Sequence, residues 1–136
     1  MRLLFDVNHP VQAHLLRPVV AHFQARGNEC RLVARDKDVT LRLLRGLGLE
    51  AEVLAGVGRG RLGALRELVQ REWRLRALAR AFRPAVIAGT SVHAGRVGRR
   101  VGAVSVVIND DDAAAVPLFA RLAYPSADWI VTPECL

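Results

Sequence analysis

Long hydrophobic runs are missing from this chain: nothing in it approaches the ~20 consecutive apolar residues that cross a bilayer as a helix. Met1 to Phe5 opens like a secretory leader, but Asp6 and Asn8 end the apolar stretch too early, so the segment reads as a first β-strand. Cysteine is scarce. Cys30 falls inside a strand-like run and Cys135 at the chain end, without metal-ligand spacing, which argues against zinc and for reduced thiols in a cytoplasmic protein. Lysine is nearly absent, Lys37 being the only one among 20 basic residues; the coding bias of a GC-rich genome produces such a skew without selection for guanidinium chemistry. Internal repeats, low-complexity tracts and linkers are lacking as well.

What is there fits one globular domain. The 136 residues are 51% hydrophobic and 24% charged, enough for a single buried core. The net charge of +7 attracts phosphate, nucleic acid or anionic lipid through its long-range field, and composition does not separate these.

Short β-branched runs alternate with longer amphipathic stretches, the pattern of a parallel sheet with crossover helices. Strands are expected at Leu3 to Val7, Cys30 to Ala34, Ala51 to Leu54, Ala85 to Ala88, Val104 to Ile108 and Trp129 to Val131. Helices are expected at about Val11 to Arg26 (ending at Gly27), from Asp36 or Asp38 through Leu44, and at Leu62 to Phe82 (stopped by Pro84), Val92 to Val101 and Ala114 to Ala123. In the long helix Leu62, Leu65, Leu68, Val69, Trp73, Leu75, Leu78 and Phe82 recur at helical spacing and are expected to face the core. Arg66, Arg71, Arg74 and Arg80 lie away from that stripe, with Glu67–Arg71 and Glu72–Arg76 as i,i+4 pairs. The whole reads as a doubly wound, three-layer α/β/α Rossmann-like domain, six strands in the order 3-2-1-4-5-6.

In such a sheet ligands bind beyond the carboxyl ends of the strands. Those segments are polar here: Asp6 to Pro10 with Gln12 and His14, Arg35 to Asp38, Gly89 to Ser91 with His93, Asn109 to Asp112, and Thr132 with Glu134. Polar loops and helix caps account for any one of these residues alone, but three of the four histidines fall at this edge. His14, one turn into the first long helix, is the candidate general base. His9 positions a ligand or caps the helix, and His22 is structural. His93 opens a helix beside Thr90 and Ser91, where free N–H groups and the helix dipole favour an anion. Asn8, Arg35, Asn109, Asp110 and Glu134 complete the candidate ligand contacts.

Two motif matches read as decoys. Gly58-Arg59-Gly60-Arg61-Leu62-Gly63 fits G-x-G-x-x-G, but it follows the third strand, and no acid stands ~20 residues later, so no nicotinamide cofactor is expected. Gly58 and Gly60 stay as a flexible loop that could close on a phosphate. Asp110-Asp111-Asp112 resembles a D-x-D metal signature, yet capping the following helix is preferred and no metal is assigned. The arginines of the long helix read first as a solvated face and second as a membrane-associated one; few aromatics interleave with them, which disfavours nucleic acid.

Asp6 to His14, Ala34-Arg35-Asp36-Lys37-Asp38-Val39-Thr40, Ile108-Asn109-Asp110 and Thr132-Pro133-Glu134 resemble landmarks of an uncharacterised prokaryotic family of GT-B-type proteins. That family is similar to UDP-N-acetylglucosamine 2-epimerases and to the lipid-linked N-acetylglucosaminyltransferase of peptidoglycan synthesis. The resemblance implies two Rossmann-like domains facing across a cleft, of which this chain covers the amino-terminal one. The absent carboxyl-terminal half would hold most of a nucleotide-sugar. The present half would supply the acceptor side, and the loop Gly56 to Gly63 would meet a diphosphate. The chain stops just past the sixth strand, where a second domain or hinge would begin. A half enzyme is expected to be inactive alone, since catalysis needs groups oriented from both sides. A sugar-nucleotide epimerase and a non-catalytic domain binding an anionic partner are the alternatives.

Overall fold

The computed structural model describes residues 1–35, 38–55 and 59–134; Asp36, Lys37, Gly56, Gly58 and Cys135, each singled out above, lie outside them. The strands are β1 (Arg2–Val7), β2 (Glu29–Arg35), β3 (Ala51–Ala55), β4 (Val86–Gly89), β5 (Val104–Ile108) and β6 (Trp129–Val131). The helices are α1 (Pro10–Gln24), α2 (Asp38–Gly46), α3 (Gly60–Phe82), α4 (His93–Val101) and α5 (Pro117–Ala123), the last running into a 3-10 turn at Tyr124–Ser126. The strands form one sheet in the order β3-β2-β1-β4-β5-β6, as the sequence pattern predicts, and every neighbouring pair is parallel.

Strand alternation builds two cores from β1. Leu3, Phe5 and Val7 point to one face and pack with Ala13, Leu16 and Val20 of α1 and Leu44 of α2. Leu4, with Val33 and Ile87, points to the other and packs with Leu75, Ala79 and Phe82 of α3 and Ala94 and Val97 of α4. Asp6 continues this second face, so alternation delivers a fully buried carboxylate to the α3 side of the sheet at the carboxyl end of β1.

Helix ends follow local chemistry. Arg83 closes α3 in the left-handed conformation (φ 51°), its N–H bonded to Ala79 O, and Pro84 then disfavours another helical residue. Helix α5 starts at Pro117 rather than Ala114, because proline's fixed φ suits the first helical turn. The expected capping of α5 by Asp110 to Asp112 is therefore corrected. Asp112 Oδ1 instead accepts from Ala114 N at 2.9 Å and holds a turn upstream, and no side chain caps α5.

The facing of α3 departs most from expectation. Its buried residues are Glu67, Arg71, Leu75, Ala79 and Phe82. Leu62, Leu65, Leu68, Val69 and Trp73, expected in the core, stand in solvent. The expected i,i+4 pairs are replaced by longer-range ones: Glu67 pairs with Arg35, Arg71 with Asp6, and Glu72 with Arg96 and Arg100. Periodicity therefore places the carboxyl-terminal half of α3 correctly, whereas polar partners on the sheet set the facing of its amino-terminal half.

Where β1 and β4 run side by side, Gly89 is required. A Cβ there would lie 2.7 Å from Asp6 O and 2.8 Å from Asp6 Cβ, so the strands could not keep their register opposite Asp6. We expect Gly89→Ala to cost about 1–3 kcal/mol in urea unfolding. Gly46→Ala, whose Cβ would meet nothing within 4 Å, should leave stability unchanged or raise it by up to about 1 kcal/mol.

Candidate functional site

The crevice begins with the link between β1 and α1. His9 is the N-cap of α1 with extended backbone, and its Nδ1 accepts weakly from Val11 N at 3.5 Å. Gln12, in the first turn, reaches back: its Oε1 accepts from His9 N at 2.8 Å, from Asn8 N at 3.0 Å and from the Thr90 hydroxyl across the crevice. This pins the Gln12 side chain by its oxygen. Asn8 is pinned the same way, since its Oδ1 accepts from Arg71 Nη1 at 2.8 Å. Among the described residues, the amide nitrogens of Asn8 and Gln12 have no protein partner, so two oriented carboxamide donors remain for a ligand.

Beneath them lies a buried ionic network. Arg71 is 3% exposed and Asp6 fully buried, and Arg71 Nη2 donates to Asp6 Oδ1 at 2.5 Å. The Ser91 hydroxyl donates to the other oxygen of Asp6, and His93 N donates to Ser91 Oγ at 3.1 Å. Both Asp6 oxygens are thus engaged, as a carboxylate in a low-dielectric site requires. Arg35 grips Glu67 with Nε and with Nη2 (2.8 Å), which ties the end of β2 to α3. Arg74 Nη1 donates to Leu54 O at 2.8 Å and does the same for β3.

Two adjoining cavities open over this floor. The first, about 430 Å³, is lined by Asn8, His9, Gln12, Thr90, Asn109, Asp110, Asp111 and Phe119 among others. The second, about 270 Å³, shares Asn8 and Phe119 and is lined further by Arg35, Glu67, Arg71, Ser91 and His93. Asn109 is held by Nδ2 donating to Tyr124 Oη at 2.8 Å and by Oδ1 accepting from Asp111 N at 3.2 Å. The first cavity therefore sets carboxamide donors on the α1 side against exposed carboxylates on the β5 side.

Of the residues singled out from sequence, Asn8, His9, Arg35, Thr90, Ser91, His93, Asn109 and Asp110 line these two cavities. His14 does not; it is exposed on α1. Gly60 has φ +70° and starts α3, Glu134 is exposed in the turn after β6, and Gly58 lies outside the described residues. Asp6 and Gln12 belong to the polar strand-end segments but carry no assigned contact from sequence, and Arg71 and Glu67 read there only as a pair away from the apolar stripe. A carboxylate alternating with the apolar residues of β1 was the available signal for Asp6. No comparable signal marks its partner on α3.

His93 is almost wholly buried at the start of α4, its Nδ1 3.4 Å from Glu72 Oε2. Burial, opposed by the charge of Asp6, lowers its pKa below the ordinary 6.5, so the ring is neutral near pH 7. Unfolding then takes up a proton at this residue as pH falls through about 6.5, and stability drops on acidification. In thermal melts between about pH 7.5 and pH 5.5, His93→Gln should have a shallower loss of stability than the parent. An equal slope in both would contradict a neutral, buried His93.

The fold is shared with epimerases and glycosyltransferases of known structure. UDP-GlcNAc 2-epimerase from Neisseria meningitidis, solved bound to UDP-GlcNAc, superposes with a TM-score of 0.74 at 14% identity, over 95% of this chain and 39% of that one. MurG from Acinetobacter baumannii superposes with a TM-score of 0.73 at 13% identity, over 100% of this chain and 43% of that one. Spinosyn rhamnosyltransferase SpnG, complexed with thymidine diphosphate, gives 0.67 at 19% identity, over 98% of this chain and 45% of that one. This chain thus has a glycosyltransferase-like, Rossmann-like fold and spans less than half the length of each of these three. No curated protein matches it in sequence. No helix among the described residues is long and apolar enough to cross a membrane. Residues 1–136 match a single family model throughout, and the chain belongs to that family, described as "Protein of unknown function (DUF354)".

Proposed function

We propose that this domain is the acceptor-side half of a cytoplasmic, glycosyltransferase-like GT-B enzyme acting on a nucleotide-sugar. A carboxyl-terminal domain would hold most of the nucleotide. The observation that carries the reading is the composition of the larger cavity. Asn8 and Gln12 are fixed by their oxygens with amide donors free, and Asp110 and Asp111 stand among the same lining residues as acceptors. Paired donors and acceptors across a cavity of about 430 Å³ suit the hydroxyls of a sugar or similar polyol. Such a site gains specificity because an analogue lacking a hydroxyl leaves oriented polar groups unpaired. Thr90, Asn109 and His9 would complete the contacts. His14, exposed on α1, is the proposed base, for an acceptor that approaches from the solvent side of that helix.

A sugar-nucleotide epimerase is the second reading, favoured by the superposition on the Neisseria meningitidis epimerase. A non-catalytic anion-binding face built on Arg71 and Arg74 has less support, because Arg71 is buried against Asp6 and Arg74 is engaged with Leu54 O.

Product analysis on the polypeptide that includes the carboxyl-terminal half, supplied with UDP-N-acetylglucosamine and candidate acceptors, separates the readings. Transfer supports the first, epimerised sugar supports the second, and neither sugar binding nor turnover sinks both. Gln12→Glu keeps the oxygen that Asn8, His9 and Thr90 bond and replaces the donor with a second, negatively charged acceptor oxygen. It should raise KM for the hydroxylated ligand at least about tenfold, a loss of about 1.4 kcal/mol, and lower Tm as well, since Gln12 is buried. An unchanged rate in His14→Ala would remove His14 as the base.

A further inference from the structure

Helix α3 carries two stripes of opposite character. The one against the sheet holds Glu67 and Arg71 together with Leu75, Ala79 and Phe82. On the other side, Leu62, Leu65, Val69 and Trp73 follow one another at helical spacing and are 86, 59, 63 and 73% exposed. Single exposed apolar side chains are ordinary, but a continuous row of them along one helix face marks a surface that meets something. The row widens into a groove of about 420 Å³, completed by Leu68 and by Leu122 of α5.

Its unpaired, exposed charges are arginines. Arg66 and Arg80 are exposed along this side of α3 and have no acidic partner among the described residues. Arg96 borders the groove. The acid within reach, Glu72, is already held by Arg96 at 3.2 Å and Arg100 at 2.8 Å.

We propose that this face of α3 docks, lying in plane, on an anionic lipid bilayer. An apolar stripe with a tryptophan and a basic border is the composition of an interfacial helix, and α3 lacks the apolar length to span. The basic border also selects the occupant. A second copy docked through the same patch would bring arginines against arginines, since a dyad-related interface pairs a surface with itself. Anionic headgroups accept those arginines, and acyl chains take the leucines, valine and tryptophan. The groove shares Leu68, Val92 and His93 with the smaller crevice cavity, so a docked membrane surface would lie beside the candidate site. The inference rests on exposure and charge and is independent of the glycosyl-transfer reading.

Flotation of the full chain with vesicles of phosphatidylcholine, with and without phosphatidylglycerol, tests it. Trp73 emission is followed in a Trp129→Phe background. The chain should float with the anionic vesicles, Trp73 emission should shift to the blue, and added salt should weaken both. Val69→Glu should reduce binding at least about tenfold, since a charge at this depth must be dehydrated. Trp73→Ala, which adds no charge, is the second variant and should also weaken binding. Arg66→Gln and Arg80→Gln should each weaken it about fivefold. These positions are exposed, so melting should match the parent. No flotation, equal flotation with neutral vesicles, or indifference to both Val69→Glu and Trp73→Ala overturns the proposal. So does a dimer abolished by Val69→Glu, which would assign the face to a second copy.

Discussion

Asp6 and Arg71 are both shut off from water, and each is what makes the other's position tolerable. An ionised carboxylate at the end of a buried strand costs several kcal/mol unless it is paired and hydrogen-bonded. Arg71 and the Ser91 hydroxyl, itself held by His93 N, meet that requirement. The pair spans 65 residues of sequence and joins β1 to α3 directly under the crevice. Because Arg71 must face the sheet, Glu67, one turn earlier, faces it too and is matched by Arg35. The apolar residues of the same half-helix are left pointing the other way.

This constraint organises the candidate site in layers. The ion pairs fix the ends of β1 and β2 against α3. Arg71 then orients Asn8, and Thr90 with two backbone N–H groups orients Gln12. Side chains that line the larger cavity are thus fixed by hydrogen bonds within the protein, the arrangement that holds polar groups in position in advance of any ligand. Close contact between β1 and β4, possible only at Gly89, keeps Thr90 within reach of Gln12.

The topology was legible in sequence because β-branched runs bounded by glycine and proline leave a parallel sheet little choice of order. The polar ends of β1, β4 and β5 were legible for the same reason, and Asn8, Thr90, Ser91 and Asn109 lie where their positions after the strands put them. The facing of α3 was not. A periodicity count treats arginine as a surface residue and cannot see a carboxylate far away in sequence that draws it inward. On α1, Gln12 lines the larger cavity whereas His14 is exposed and lines neither, a difference of facing that residue type conceals. Two residues apart on a helix, they face different ways, and the crevice receives the glutamine.

A double-mutant cycle between Asp6→Asn and Arg71→Met, read by urea unfolding, tests most directly whether the pair sets the orientation of α3. The account predicts that each substitution destabilises alone and that the two couple by about 2–3 kcal/mol. Additivity within about 0.5 kcal/mol would contradict it, since an Arg71 facing water has no reason to sense Asp6.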